Sequence, residues 1–269
     1  MRKPDFFAKD LARFLSLADR FTKQWYPNEP NWGPWFRGQK DAAWSLQPKL
    51  YRGDPLRRAI RSVEDEIRQE FMVRAPSLSS ERPQNSWDWY SLMQHCGAPT
   101  RFLDWTEGAL IALYFAVRDR ESKSDAAVWV LEPWVLNKSV LGKAEVIAPG
   151  AESGLREADA ERYEPWLPKR YASKQLEPTL PVAMYPTHFA RRISSQRSCF
   201  TIHGSAQDGF ELLRGEASSH LVKIVIPQSS LSSMYRSLSI AGIDEVTVYP
   251  DLDGLGRWLD MLLRDEDRA

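Results

Sequence analysis

The stretch Gln94-His-Cys-Gly-Ala-Pro-Thr-Arg-Phe-Leu-Asp-Trp-Thr-Glu-Gly-Ala-Leu-Ile-Ala-Leu-Tyr-Phe-Ala-Val117 decides how the rest of the chain is read. Its first half is polar, and Gly97 and Pro99 force a loop. Its second half, from Ala109 to Val117, is apolar without interruption. On a helix, Leu110, Leu113 and Val117 share one face, Ala109, Ala112 and Ala116 a second, and Ile111 and Phe115 a third. A helix that is apolar all round is buried on every side, and its alanines let neighbouring elements come close. The polar loop that feeds it, with Arg101, Asp104 and Trp105, is therefore held by a rigid scaffold, where binding and catalytic groups tend to lie.

Working outward, Phe7, Leu11, Phe14, Ala18 and Phe21 predict an amphipathic helix over residues 5–24. Trp35 and Phe36 predict a short buried strand, and Gly38 a close backbone approach or a bulge. Leu56, Ile60, Val63, Ile67 and Phe71 predict a second amphipathic helix. A third, carrying Trp87, Tyr90 and Met93, starts at a cap on Asn85 or Ser86 and ends at Gly97. Downstream, strands are expected at Ala126–Leu131, 181–186, Cys199–Ile202, Leu221–Ile226 and Glu245–Tyr249. Helices are expected from Leu231 to Leu238, closed by Gly242, and from Leu252 to Leu263, capped by Asp251 or Asp253. Helices dominate the first part and strands the second, without strict βαβ alternation. That implies an α+β single domain with a mainly antiparallel sheet. The expected organisation is an N-terminal helical segment (1–31), the main domain (32–263) with an insertion over the site at 138–180, and a charged tail (264–269).

Among the chain's 269 residues, 43% are hydrophobic and 12% aromatic, enough for a substantial core. The 36 basic and 36 acidic residues cancel, which disfavours a globally basic nucleic-acid binder but leaves room for a local patch. Cys96 and Cys199 lie too far apart in sequence for a disulfide framework or zinc spacing, which suits a reducing, cytoplasmic setting. No apolar run approaches a membrane span, so no membrane partner is expected.

Arg37 stands between an aromatic and a glycine. Its guanidinium there can grip a phosphate or carboxylate through two parallel hydrogen bonds, or tie two elements together through a carboxylate such as Asp104, and the two roles are compatible. In the central loop Thr100 and Arg101 offer donors, Asp104 an acceptor and Trp105 a stacking surface, while His95 can serve as acid or base or cap a helix end. Gln196 lies just before a strand. His188, His203 and His220 lack ligand spacing, so no metal site is expected. Phosphate-cradling glycine loops and a nucleophile elbow are also missing.

Trp35-Phe-Arg-Gly-Gln39, Leu92–Thr106 with Ala109–Ala116, Arg192-Ile-Ser-Ser-Gln196 with Phe200, and Gly242–Gly254 together resemble the FRG domain, named for the triplet that stands here as Phe36-Arg37-Gly38. Where that family often has a glycine after the glutamine motif, this chain has Ser198-Cys199, which reshapes the turn. The family is known from bacterial and phage-associated proteins.

A further resemblance is to the ADP-ribosyltransferase fold. There an arginine on the first core strand contacts NAD, a polar strand feeds a buried helix, and a later strand supplies a catalytic glutamate. That resemblance implies an ADP-ribosyltransferase or NAD glycohydrolase acting as a toxin or phage-defence effector, with NAD as substrate and a protein or nucleic acid as acceptor. Arg37 would hold the cofactor, Trp105 or Tyr114 would stack on it, and Gln196 and Asp104 would orient its ribose. Thr100, Arg101 and His95 would line the same site. A glutamine positions a hydroxyl but brings no negative charge to a cationic transition state, so a carboxylate such as Asp104 or Glu211 would have to supply it. The alternative is a non-catalytic module that reads a nucleotide or nucleic acid through its arginines and tryptophans.

Overall fold

The computed structural model describes residues 5–29, 32–52, 60–79, 82–150, 161–168, 178–186 and 196–266. The expected helical turn at Leu56, and Arg191, Arg192, Ser195 and His188, lie outside these residues. Seven strands form one sheet: β1 (Phe6–Phe7), β2 (Trp35–Gln39), β3 (Phe102–Thr106), β4 (Ala126–Leu131), β5 (Val182–Met184), β6 (Ser198–Ile202) and β7 (Leu221–Ile226). Their order is β1-β7-β4-β2-β3-β6-β5. β1 runs parallel to β7, and the other neighbours are antiparallel. The fold is α+β with a mainly antiparallel sheet. No described helix is long and apolar enough to cross a membrane.

Strand alternation sends Phe36, Val128, Val130 and Ile224 to one face, where α1 (Leu11–Trp25), α4 (Ala109–Val117) and α7 (Leu231–Ile240) cover them. The numbering runs through α2 (Ile60–Arg74), α3 (Ser86–His95), α5 (Pro133–Leu141) and α6 (Gly215–Ser219), and ends with α8 (Glu245–Val248) and α9 (Leu252–Glu266). On the same face, Phe102, Phe200 and Ile202 pack against Trp87, Tyr90 and Met93 of α3. The opposite face buries Trp35, Leu103, Trp105 and Cys199 under Leu46, Leu136, Phe210 and Leu213. Each such side chain contributes about 1.5–3 kcal/mol on leaving water.

Three elements differ from expectation. Residues 5–24 are not one helix. Asp10 accepts a hydrogen bond from the Arg13 backbone N–H at 2.7 Å and so starts α1 late, which frees Phe6 and Phe7 to pair with β7. A two-residue strand is too short to show a period. Residues 102–106 lie in β3 and not in a loop, their alternation masked by Asp104 in the middle. Glu245–Val248, expected as a strand, is helical. Asp244 accepts from the Thr247 backbone N–H at 2.8 Å and nucleates a turn, and β7 already has neighbours on both edges. The last helix starts as expected, with Asp251 accepting from the Gly254 N–H at 2.7 Å.

The segment 138–180 packs as core in its described parts. Tyr163 and Trp166 sit beside Phe102 and Phe200. Asn137, fully buried, donates to the Ala183 carbonyl at 2.9 Å and accepts from its N–H at 2.8 Å, which satisfies the edge strand β5.

Helix α4 rests directly on β2. A Cβ added to Gly38 would lie 2.0 Å from the Ala112 carbonyl oxygen and 2.7 Å from the Ala116 nitrogen, so only glycine fits. Gly38→Ala must push a buried helix off its strand. It is expected to lower stability by about 1–3 kcal/mol or more, read as a shift in the urea midpoint. An unchanged midpoint would show that α4 has room to spare.

Candidate functional site

β2 pairs with β4 along its whole length, and β3 likewise with β6. Between themselves, β2 and β3 share a single register pair, Phe36↔Thr106. Past it the two strands part, and a cleft of about 620 Å³ opens along the seam. Arg37 bridges it. Its Nη1 donates to the Asp104 carbonyl at 2.6 Å, a backbone oxygen facing the parted strand, and lies 3.8 Å from the Asp104 carboxylate. The tie expected through the Asp104 carboxylate runs here chiefly through the Asp104 backbone. Its Nε is buried and has no hydrogen-bond partner among the described residues. Burial pulls the Arg37 pKa down to about 10, opposed by Asp104 and reinforced by Arg52, so the group stays charged at neutral pH.

Asp104 is set by a relay. Thr100 Oγ1 donates to Gln94 Oε1, and Gln94 Nε2 donates to Asp104 Oδ1 at 2.8 Å. The carboxylate is nonetheless 57% exposed, so one oxygen is braced while the group faces solvent. At one end of the cleft Thr106 Oγ1 donates to the Gln196 carbonyl at 2.6 Å, and Gln196 Nε2 donates to the Val248 carbonyl at 3.1 Å. The turn after Gln196 places Arg197 at φ 46°, a left-handed conformation that favours glycine. Arg197 holds it through Glu107, by an ion pair at 3.2 Å and by accepting the Glu107 N–H at its carbonyl.

The structure thus brings Arg37, Asp104, Gln196 and His95 to one cleft. Trp105 touches it, but the ring is 2% exposed and its Nε1 donates to Thr201 on the opposite face at 3.0 Å. Thr100 reaches the cleft only through Gln94. Tyr114 is buried in the helical layer, its hydroxyl on the Glu245 carboxylate. Glu211 is exposed and lies outside the cleft.

Arg101 also lies elsewhere, at 1% exposure. It donates to Glu64 at 2.7 Å, to the Trp166 carbonyl at 2.8 Å and to the His203 carbonyl at 3.2 Å. Tyr90 donates to the same Glu64 oxygen. Burial pulls the Arg101 pKa down, but the Glu64 carboxylate outweighs it and keeps the guanidinium charged.

Lys40, Trp44, Lys49, Arg52 and Arg118 also line the cleft and carry no motif of their own. The one local signal for Gln94 is its position a helical turn after Tyr90, whose neighbours are buried.

Residues 33–125 match the family model of the FRG domain. The chain carries an FRG domain. The FRG match spans β2, α3, β3 and α4, hence the seam with Arg37, Asp104 and the close approach at Gly38, and it ends before Gln196. Comparison with curated proteins and with solved structures gave no match.

Two outcomes test this geometry. Arg101→Met strands the buried Glu64 carboxylate and is expected to cost about 3–5 kcal/mol; a further Glu64→Met should recover part of that in urea unfolding. His203 is fully buried, and among the described residues both its ring nitrogens lack hydrogen-bond partners. Burial, then Arg37 and Arg101, lower its pKa from 6.5 to about 3. Between those values the unfolded chain takes up a proton that the native state refuses. Stability therefore falls with acid by up to about 1.4 kcal/mol per pH unit. His203→Phe should flatten that slope, and an unchanged slope would place the proton elsewhere.

Proposed function

We propose that the seam cleft binds NAD and breaks the bond between nicotinamide and its ribose, passing ADP-ribose to an acceptor or to water. The observation that supports this most is the Asp104 carboxylate, exposed yet braced by Gln94 and set against Arg37 in an otherwise cationic cleft. Breaking that bond builds positive charge on the ribose C1′ as neutral nicotinamide leaves. A carboxylate already fixed in place by Gln94 stabilises such charge without the reorganisation that free water would need. Asp104 has the role of that carboxylate, which the uncharged Gln196 cannot take. Gln196 orients a ribose hydroxyl through the amide oxygen and N–H it has left. Arg37 faces the phosphates with its positive charge. A protein with this chemistry drains or diverts NAD in its own cell, which fits a toxin or phage-defence effector.

The test is nicotinamide release from NAD by the wild type, Asp104→Asn and Gln196→Ala, with folding checked by thermal unfolding. Asp104→Asn keeps the Gln94 contact but loses the charge and should lower kcat about a hundredfold. Gln196→Ala should mainly raise KM. NAD bound by the folded wild type without release would favour a nucleotide-binding module, and equal rates in wild type and Asp104→Asn would remove Asp104 from the chemistry.

A further inference from the structure

We infer that the mouth of the cleft docks a single-stranded nucleic acid, and that this strand is the acceptor of the ADP-ribose; the acceptor role rests on the reading of the cleft as an NAD site. Five cationic side chains, Arg37, Lys40, Lys49, Arg52 and Arg118, face a single carboxylate, Asp104, among the described residues of the lining. Arg37 and Asp104 offset one another. The other four sit in the exposed rim, on the segments that follow β2 and α4. Their contacts leave the charge uncompensated: Lys49 to the Gly97 carbonyl at 2.6 Å, Arg52 to the Gln47 carbonyl at 2.9 Å, Arg118 to the Tyr249 hydroxyl at 3.0 Å. Lys40 has Asp119 at 3.7 Å, with both side chains about half exposed, a pairing that contributes little.

The whole chain has no net charge, so this excess is local. It also exceeds what the two phosphates of NAD would neutralise. Trp44 stands in the same rim, 46% exposed, with Lys40 Nζ 5.7 Å from its ring. A row of cations beside an open aromatic face matches a chain of phosphates carrying stackable bases, and unpaired bases are the ones free to stack. An acidic peptide would use the cations but leave Trp44 unexplained. In the transfer, the bond from C1′ to the nicotinamide nitrogen breaks and its electron pair leaves with nicotinamide. A nucleophilic oxygen or nitrogen of the strand forms the new bond to C1′, and any proton it carries passes to Asp104 and on to solvent.

The experiment is fluorescence anisotropy of short single-stranded DNA and RNA on the full chain without NAD, over a range of salt, with duplex DNA and polyglutamate as competitors. With four phosphate contacts, the slope of log K against log salt should be about −3. Lys49→Ala with Arg52→Ala should roughly halve that slope. Trp44→Ala should weaken binding about tenfold and leave the slope unchanged. Polyglutamate that competes as well as the strands, or affinity indifferent to Trp44→Ala, would overturn the docking. Comparison of DNA with RNA assigns the strand type. Labelled NAD is then added and both products are read together. Label on the strand supports the acceptor role. Nicotinamide released with no label on a bound strand overturns that role alone. No release while the strand is bound overturns the NAD reading and the acceptor role with it, and leaves the docking standing.

Discussion

The contact on which the structure depends is the bare backbone approach of α4 to β2 at Gly38. No side chain separates the two elements there, so the helix fixes the height of the strand. With Gly38 and Phe36 committed to α4, alternation sends Trp35, Arg37 and Gln39 to the opposite face. Trp35 anchors that second core, and Arg37 has the seam as its place. The family triplet thus reads as three tasks: an apolar anchor, a charged bridge, and an absence of side chain.

Two arginines illustrate how tertiary setting divides one residue type into different roles. Arg101 is enclosed by the Glu64 carboxylate and two backbone carbonyls, those of Trp166 and His203. Its charge is spent internally on tying α2 to the strand layer. Arg37 meets a carbonyl at close range and a carboxylate at 3.8 Å, and it does so in the lining of the cleft. His203, near both, stays neutral and serves as uncharged packing beside Phe210 at a ring separation of 5.2 Å.

Much of the architecture was legible because local and tertiary signals agree. The apolar run Ala109–Val117, the β-branched runs ended by Pro133 and Pro227, and the caps at Asn85 and Asp251 point the same way at every scale. Legibility failed where a distant partner decides. Asp104 interrupts the alternation of β3 because a polar side chain is needed at the seam. Glu245–Tyr249 has strand-forming residues, but the Asp244 cap closes a helical turn over Glu245–Val248 instead. Arg37, Asp104 and Gln196 stood out by their neighbours in the chain. Arg101 stood out for the same reason, and nothing in its immediate sequence reveals Glu64, 37 residues away. Three of the rim cations, Lys40, Lys49 and Arg52, share the segment after β2, but no periodicity marks them as one surface, and Arg118 joins them from the end of α4.

The single register pair between β2 and β3 divides the sheet mechanically. On one side β1, β7, β4 and β2 form a continuous plate with its own helical backing, and on the other β3, β6 and β5 form a second. Ladder bonds resist shear and bending within each plate, whereas the seam offers one pair and a side-chain tether. The seam is therefore the line along which the strands are least paired, and that line coincides with the cleft. The Arg37 bond to the Asp104 carbonyl is thus both a cross-brace of the sheet and part of the wall of the cleft.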